Sequence, residues 1–278
     1  MIILKYSFRR CLMFGLFLSI GNISAFAQIG KLYTLLLIDE YSEIAPACFA
    51  DRIKIEEEAQ IIAQKTRMEL KLINLPFERS RLIQYLDTFS VQPEDVILFY
   101  FTGHGYRYEN QRECEDYPYL FISKERVALS EAGLCFGQLS EQLLSKNARL
   151  LVSLADCCNN VLPVEEPIAM SNRGFSEVYK RLFLQTEGYL IASSSLPGQF
   201  SYATNNGGYF TNSFLQSIRE LEDPRQDINQ VNWDLVMRKT KSLTILNSKS
   251  KQKPQYKAEL EMKEEVAIPG QVILPKNH

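Results

Sequence analysis

The stretch Asp95 to Thr102, DVILFYFT, runs straight into Gly103-His104-Gly105 and decides how the rest of the chain is read. After its leading acid it has almost no polar interruption. That is the pattern of an interior strand in a parallel sheet, covered on both faces. Arg149 to Ala155, RLLVSLA, has the same character and also ends in reactive residue types, Asp156-Cys157-Cys158-Asn159-Asn160.

Working outward, Lys31 to Ile38 (KLYTLLLI), Glu69 to Leu75 and Gly188 to Ser194 (GYLIASS) read as further strands. Ile53, Ile55, Ala59, Ile62 and Ala63 fall at helical spacing and predict a helix over Arg52 to Arg67. Helices follow at Arg79 to Phe89, around Gly137 to Ser145, and near Tyr209 to Leu221 and Val231 to Leu246, before a short strand near Gln255 to Leu260. Strand and helix alternating in this way build βαβ units. The fold class is therefore α/β, a three-layer αβα sandwich around a mostly parallel sheet of about six strands. No repeat or linker divides the chain, so residues 28–278 read as one domain with a C-terminal tail from about 261. The longest irregular stretch, Asn159 to Arg173, reads as an exposed loop open to processing.

Open parallel sheets carry their reactive groups at the carboxyl ends of strands. His104 sits at such an end between two glycines, and the only other histidine is His278. Cysteine is usually a small buried hydrophobe, a role that suits Cys157 or Cys158 singly. A thiol leaving the sheet beside an aspartate and two asparagines fits a nucleophile better. Adjacent strands would bring His104 close enough to take the thiol proton, since the thiolate is the attacking species. No third side chain in the sequence declares itself as the group that orients His104.

An apolar strand followed by His-Gly, then an apolar strand followed by Asp-x-Cys, resembles the caspase-like cysteine peptidases: caspases, metacaspases and bacterial relatives. The resemblance spans about Lys31 to Leu260. It includes Ala192 to Tyr202 (ASSSLPGQFSY) with Gly207 to Leu215 (GGYFTNSFL), and Pro254-Gln255 before the last strand. It implies the caspase-like form of the sandwich, with Cys158 as nucleophile and His104 as base and acid. The N–H groups of Gly105 and Cys158 would form an oxyanion hole. The implied reaction is hydrolysis of polypeptides through a thioester, with no cofactor; calcium dependence is a matter for assay. Asp156 stands where aspartate-cleaving caspases have glutamine, and Ala203 where they have arginine. Such a pocket would prefer arginine or lysine, as in metacaspases, with Ser193 and Ser194 on its wall. The plainer role for Asp156 is to bond amides of its own turn. Self-cleavage at Arg173 or Lys180-Arg181 would match basic specificity. Asn159-Asn160 departs from the His-Ser usual in metacaspases. The main alternative is a catalytically silent caspase-like binding module, but both reactive residues are present.

Residues 1–27 are read as a signal peptide: Lys5, Arg9 and Arg10, an apolar run from Cys11 to Ile20, then Ala25-Phe26-Ala27. The run is too short to span a bilayer, so no stable membrane anchor is expected, and the product is periplasmic or extracellular. Without that segment's three bases, 28 basic residues face 33 acidic ones, which disfavours nucleic acid as a partner. Of the five remaining cysteines, Cys48, Cys114 and Cys135 offer one disulfide at most. Cys157 and Cys158 could join in a strained vicinal pair. There is no CxxC and one histidine before the tail, so neither a zinc site nor a dithiol oxidoreductase is supported. The acidic turn Asp39-Glu40-Tyr41-Ser42-Glu43 after the first strand is unfit for phosphate, and no G-x-S-x-G elbow marks a serine hydrolase. The sequence does not select an oligomeric state.

Overall fold

The structure, a computed structural model, describes residues 29–108, 114, 116–125, 127–159 and 177–263. The signal segment, Arg173 with the loop from 160, and the tail from 264 lie outside the described residues. The elements run β1 (Lys31–Ile38), α1 (Ala45–Thr66), β2 (Glu69–Asn74), α2 (Arg79–Thr88) and β3 (Val96–Thr102). Next come three short strands, β4 (Gly105–Tyr106), β5 (Tyr119–Phe121) and β6 (Gly133–Cys135), with α3 (Leu129–Ala132) between the last two. Then follow α4 (Phe136–Leu144), β7 (Leu150–Asp156), α5 (Glu177–Phe183) and β8 (Thr186–Ser193). The small pair β9 (Ala203–Thr204) and β10 (Gly207–Gly208) precedes α6 (Tyr209–Leu221), α7 (Trp233–Asn247) and β11 (Gln255–Met262).

The main sheet has six strands in the order β11-β8-β7-β3-β1-β2. All neighbours pair parallel except β11, which runs antiparallel beside β8. Side chains alternate across each strand, so successive residues enter different cores. Leu98, Tyr100, Val152 and Leu154 pack with α1 residues Ile55, Ala59 and Ile62 and with α5, α6 and α7. Ile97, Phe99, Phe101 and Leu151 pack with α2 and α4 on the other face. Both faces are covered, which is why β3 and β7 are buried at every position.

Four differences from the sequence expectation have local causes. Helix α1 starts at Ala45, seven residues before Arg52, with Pro46 in its first turn. Proline fits there because the first amides of a helix lack intrahelical acceptors anyway. A second sheet, β4-β5-β6, follows His104, and the Cys114–Cys135 disulfide ties its β6 end to the loop before β5. Cys157 and Cys158 are free thiols, so they form no vicinal disulfide. Lys180 and Arg181 are not in an exposed loop. They lie in α5, where Arg181 donates from Nε to Val231 O (2.7 Å) and from Nη2 to Asn229 O (2.9 Å). A peptidase binds extended chain, so α5 would have to unwind before cleavage there.

Trp233 is the anchor of the helical layer below α5. Fully buried, it meets Phe183 edge-on at 5.1 Å and stacks with Phe214 at 6.2 Å, and its Nε1–H donates to Leu182 O at 3.0 Å. Trp233→Ala is expected to lower unfolding stability by about 3–5 kcal/mol, read as a shift in the urea midpoint. A change under about 1 kcal/mol would mean the layer repacks around the void.

Candidate active site

The register of the sheet sets the site. Ile38 lies opposite Thr102, and Thr102 opposite Asp156, so β1, β3 and β7 end level with one another. His104 and Cys158 each follow those matched residues by two positions. Both line one cavity of about 370 Å³, together with Asp51, Thr102, Asp156 and Ser201.

Strand parity separates the two cysteines. Ala155 and Cys157 enter the core that faces α2 and α4. Asp156 and Cys158 line the cavity, whose wall Cys157 also touches. Burial pushes the Cys157 thiol well above the ordinary range and leaves it an inert core residue. The backbone of Cys157 is held by serines: its N–H donates to Ser194 Oγ (3.1 Å), and its carbonyl accepts from Ser194 Oγ (3.0 Å) and Ser195 Oγ (3.2 Å). Asn159, fully buried, fastens the other side, with its N–H on Gln199 O (3.0 Å) and its carbonyl accepting from Gly198 N (2.9 Å). Its side-chain amide donates to Asp116 O and Ser195 O, at 3.3 and 3.5 Å. Asn159 is thus a bracket for the turn that carries the thiol.

Cys158 itself is half-buried, with Sγ 3.6 Å from Ser201 O. Burial raises its pKa first, the Ser201 backbone opposes this and the charge of Asp156 adds to it. Ionisation of the thiol where it stands is therefore disfavoured. His104 Nε2 lies 3.2 Å from Glu43 Oε1. Gly105 must be glycine: a Cβ there would fall 2.4 Å from Cys158 O and 2.6 Å from Cys157 Sγ. The histidine strand end thus packs directly on the cysteine turn.

Two carboxyls are buried in the cavity lining. Asp156 accepts from Ser201 Oγ (2.7 Å), Thr211 Oγ1 (2.7 Å) and Thr211 N (3.1 Å). Its partners are the opening of α6, the loop before β9 and the Ser194 side chain, not the amides of its own turn. Asp51, from α1, accepts from Gly208 N on both oxygens (2.9 and 3.0 Å) and from Thr102 Oγ1 (3.2 Å). Burial raises both pKa values; for Asp51 the nearby charge of Asp156 adds to the effect, while Gly208, Lys54 and Thr102 oppose it. Gln252, buried, braces this wall by donating to Ser194 O and Ser201 Oγ, each at 3.0 Å, and accepting from Tyr202 N at 2.9 Å.

Ser193 and Ser194 do not line the cavity. Both are fully buried at the end of β8, where Gln255 Nε2 donates to Ser193 Oγ (3.1 Å) and Ser194 is taken up by Cys157. Ser201 and Ala203 hold the wall position instead. The sequence reading missed Asp51, Cys48, Glu43 and Gln252. The first two lie on the turns of α1 that precede Arg52, and the sequence offered no signal for Glu43 or Gln252.

A model of the caspase domain matches residues 64–263, well over half of the chain. The chain belongs to the caspase family. Among solved structures, caspase-1 from Spodoptera frugiperda is similar over 82% of this chain and 86% of its own, with TM-score 0.50 and 13% identity, a likeness of fold. No curated protein sequence matches. In this caspase-domain chain the matched region begins inside α1, after Cys48 and Asp51, so their place in the cavity is known from the geometry alone.

An aspartate carboxyl ordinarily titrates near 4, whereas Asp51 is raised to about 8 in the fold. Between those values the folded protein holds a proton that the unfolded chain has released. Stability therefore falls as pH rises through the window. Going from about pH 5 to about pH 8 should lower the urea midpoint of the parent more than that of Asp51→Asn, whose amide does not titrate. Equal losses in the two proteins would show that Asp51 ionises without penalty.

Proposed function

We propose that the protein is an exported cysteine endopeptidase that cleaves polypeptides after arginine or lysine. The observation that carries the proposal is one cavity whose lining includes a thiol, an imidazole and two buried carboxyls. His104 takes the Cys158 proton as the sulfur attacks the scissile carbonyl carbon, forming a C–S bond and an oxyanion. The N–H groups of Gly105 and Cys158 are assigned to that oxyanion, each contributing about 3 kcal/mol. Collapse breaks the C–N bond, and the proton on His104 goes to the departing amine. Water, deprotonated by His104, then hydrolyses the thioester and restores the thiol. No step needs a cofactor.

Asp51 and Asp156 favour a cationic side chain because a guanidinium or ammonium would let both ionise against a partner, where burial alone disfavours their charge. An aspartate side chain would add a third acid to the same space. The Cys114–Cys135 disulfide fits an oxidising compartment and supports export.

Fluorogenic peptides ending in arginine, lysine or aspartate, assayed under mild reduction with and without calcium, test the proposal. Turnover after arginine or lysine is expected, falling to background in Cys158→Ala. Asp156→Asn should lower kcat/KM on arginine peptides by about 30-fold, equivalent to roughly 2 kcal/mol at a buried charge pair. Cleavage after aspartate would overturn the specificity, and a folded chain with no turnover at all would point to a silent binding module.

A further inference from the structure

The connection from β1 to α1 is built to hold one side chain against His104. Asp39, nearly fully buried, donates its N–H to Thr102 O at 3.0 Å, and its Oδ1 accepts from Tyr41 N (3.0 Å) and Ser42 N (3.1 Å). The Tyr41 ring rests on Phe77 at 5.7 Å, with the Lys124 ammonium 5.0 Å from its centre. Ala45 N–H donates to Ser42 O at 3.1 Å and opens α1. Glu40 turns away to pair with Arg52. The backbone on either side of Glu43 is therefore anchored. Among the described residues its one ion-pair partner is His104, whose Nε2 is 3.2 Å from Glu43 Oε1.

Resting on the peptidase reading, we propose that Glu43 is a positioning residue that holds the Nε2–H of His104 and so leaves Nδ1 as the nitrogen that exchanges protons with Cys158. A neutral imidazole carries one N–H and one lone pair, and its neighbours select which nitrogen has which. A carboxylate only accepts, so it favours the hydrogen on Nε2. The Cys158 proton then moves to Nδ1 and gives an imidazolium that still donates to Glu43 through Nε2. That same Nδ1 proton leaves with the amine when the C–N bond breaks. The Glu43 side chain is 77% exposed against 20% for His104, so the carboxylate keeps most of its water while it orients a ring that has lost most of its own. Glu43 also lines the cavity, and the competing role is direct contact with a cationic substrate side chain.

Two measurements separate these roles. In steady-state assays on arginine peptides, Glu43→Ala should lower kcat about 10-fold or more with KM within about 2-fold. Glu43→Gln, which retains an acceptor oxygen, should recover most of the loss. A raised KM with kcat kept would place Glu43 on the substrate and overturn the proposal. Independently of turnover, 15N spectra can be recorded on Cys158→Ala protein that also carries His278→Gln, leaving His104 as the sole histidine. At a pH where the imidazole is neutral, the hydrogen is expected on Nε2, with mixed tautomers once Glu43→Ala is added. A hydrogen on Nδ1 in the parent would overturn the proposal. A protein without peptidase activity would sink the peptidase reading, while the spectrum would still decide what Glu43 does.

Discussion

Everything at the site depends on three parallel strands ending level. Ile38, Thr102 and Asp156 are successive partners across β1, β3 and β7, so the loops leaving them diverge from one line. Parallel strands joined through helices cannot slip by one residue without turning every side chain to the wrong face. With Leu98 and Tyr100 in one core and Phe99 and Phe101 in the other, such a slip would empty both cores at once. The placement of His104 near Cys158 is therefore enforced by hydrophobic packing far larger than any interaction between the two residues themselves.

Against this rigid frame, the cavity holds groups that oppose folding. Two carboxyls out of water, and a thiol whose ionisation burial disfavours, are poor choices for stability. The surrounding polar atoms limit the penalty without removing it: Thr102, Thr211, Ser201 and the Gly208 amide all donate into the pair. A site tuned for stability would have used neutral groups. The acids kept there are two carboxyls whose ionisation burial opposes.

How legible all this was in the sequence followed the length and burial of each element. β3 and β7 could be read because both faces are buried and the apolar runs are unbroken, and their ends pointed to His104 and Cys158, which line one cavity. The first turns of α1 could not, because Ala45-Pro46-Ala47 after an acidic turn has loop composition, and that is where Asp51 is carried. Strands of two or three residues such as β4, β5 and β6 are too short to show a period. Ser193 and Ser194 were assigned to the cavity wall because a sequence does not show which face the last residues of a strand present. Glu43 was invisible for a different reason: the course of the loop that carries it is set by side-chain bonds of Asp39 to Tyr41 N and Ser42 N, which composition does not encode.

The contact between the acids and Gly207-Gly208 limits how this pocket can evolve. A Cβ on Gly208 would lie 1.9 Å from Asp156 Oδ2, and one on Gly207, whose φ is +90°, would lie 1.9 Å from Asp51 Oδ1. Neither glycine can acquire a side chain while its facing acid remains, and shortening an acid alone opens a void beside bare backbone. A side chain at either glycine therefore requires a compensating change at the acid that faces it.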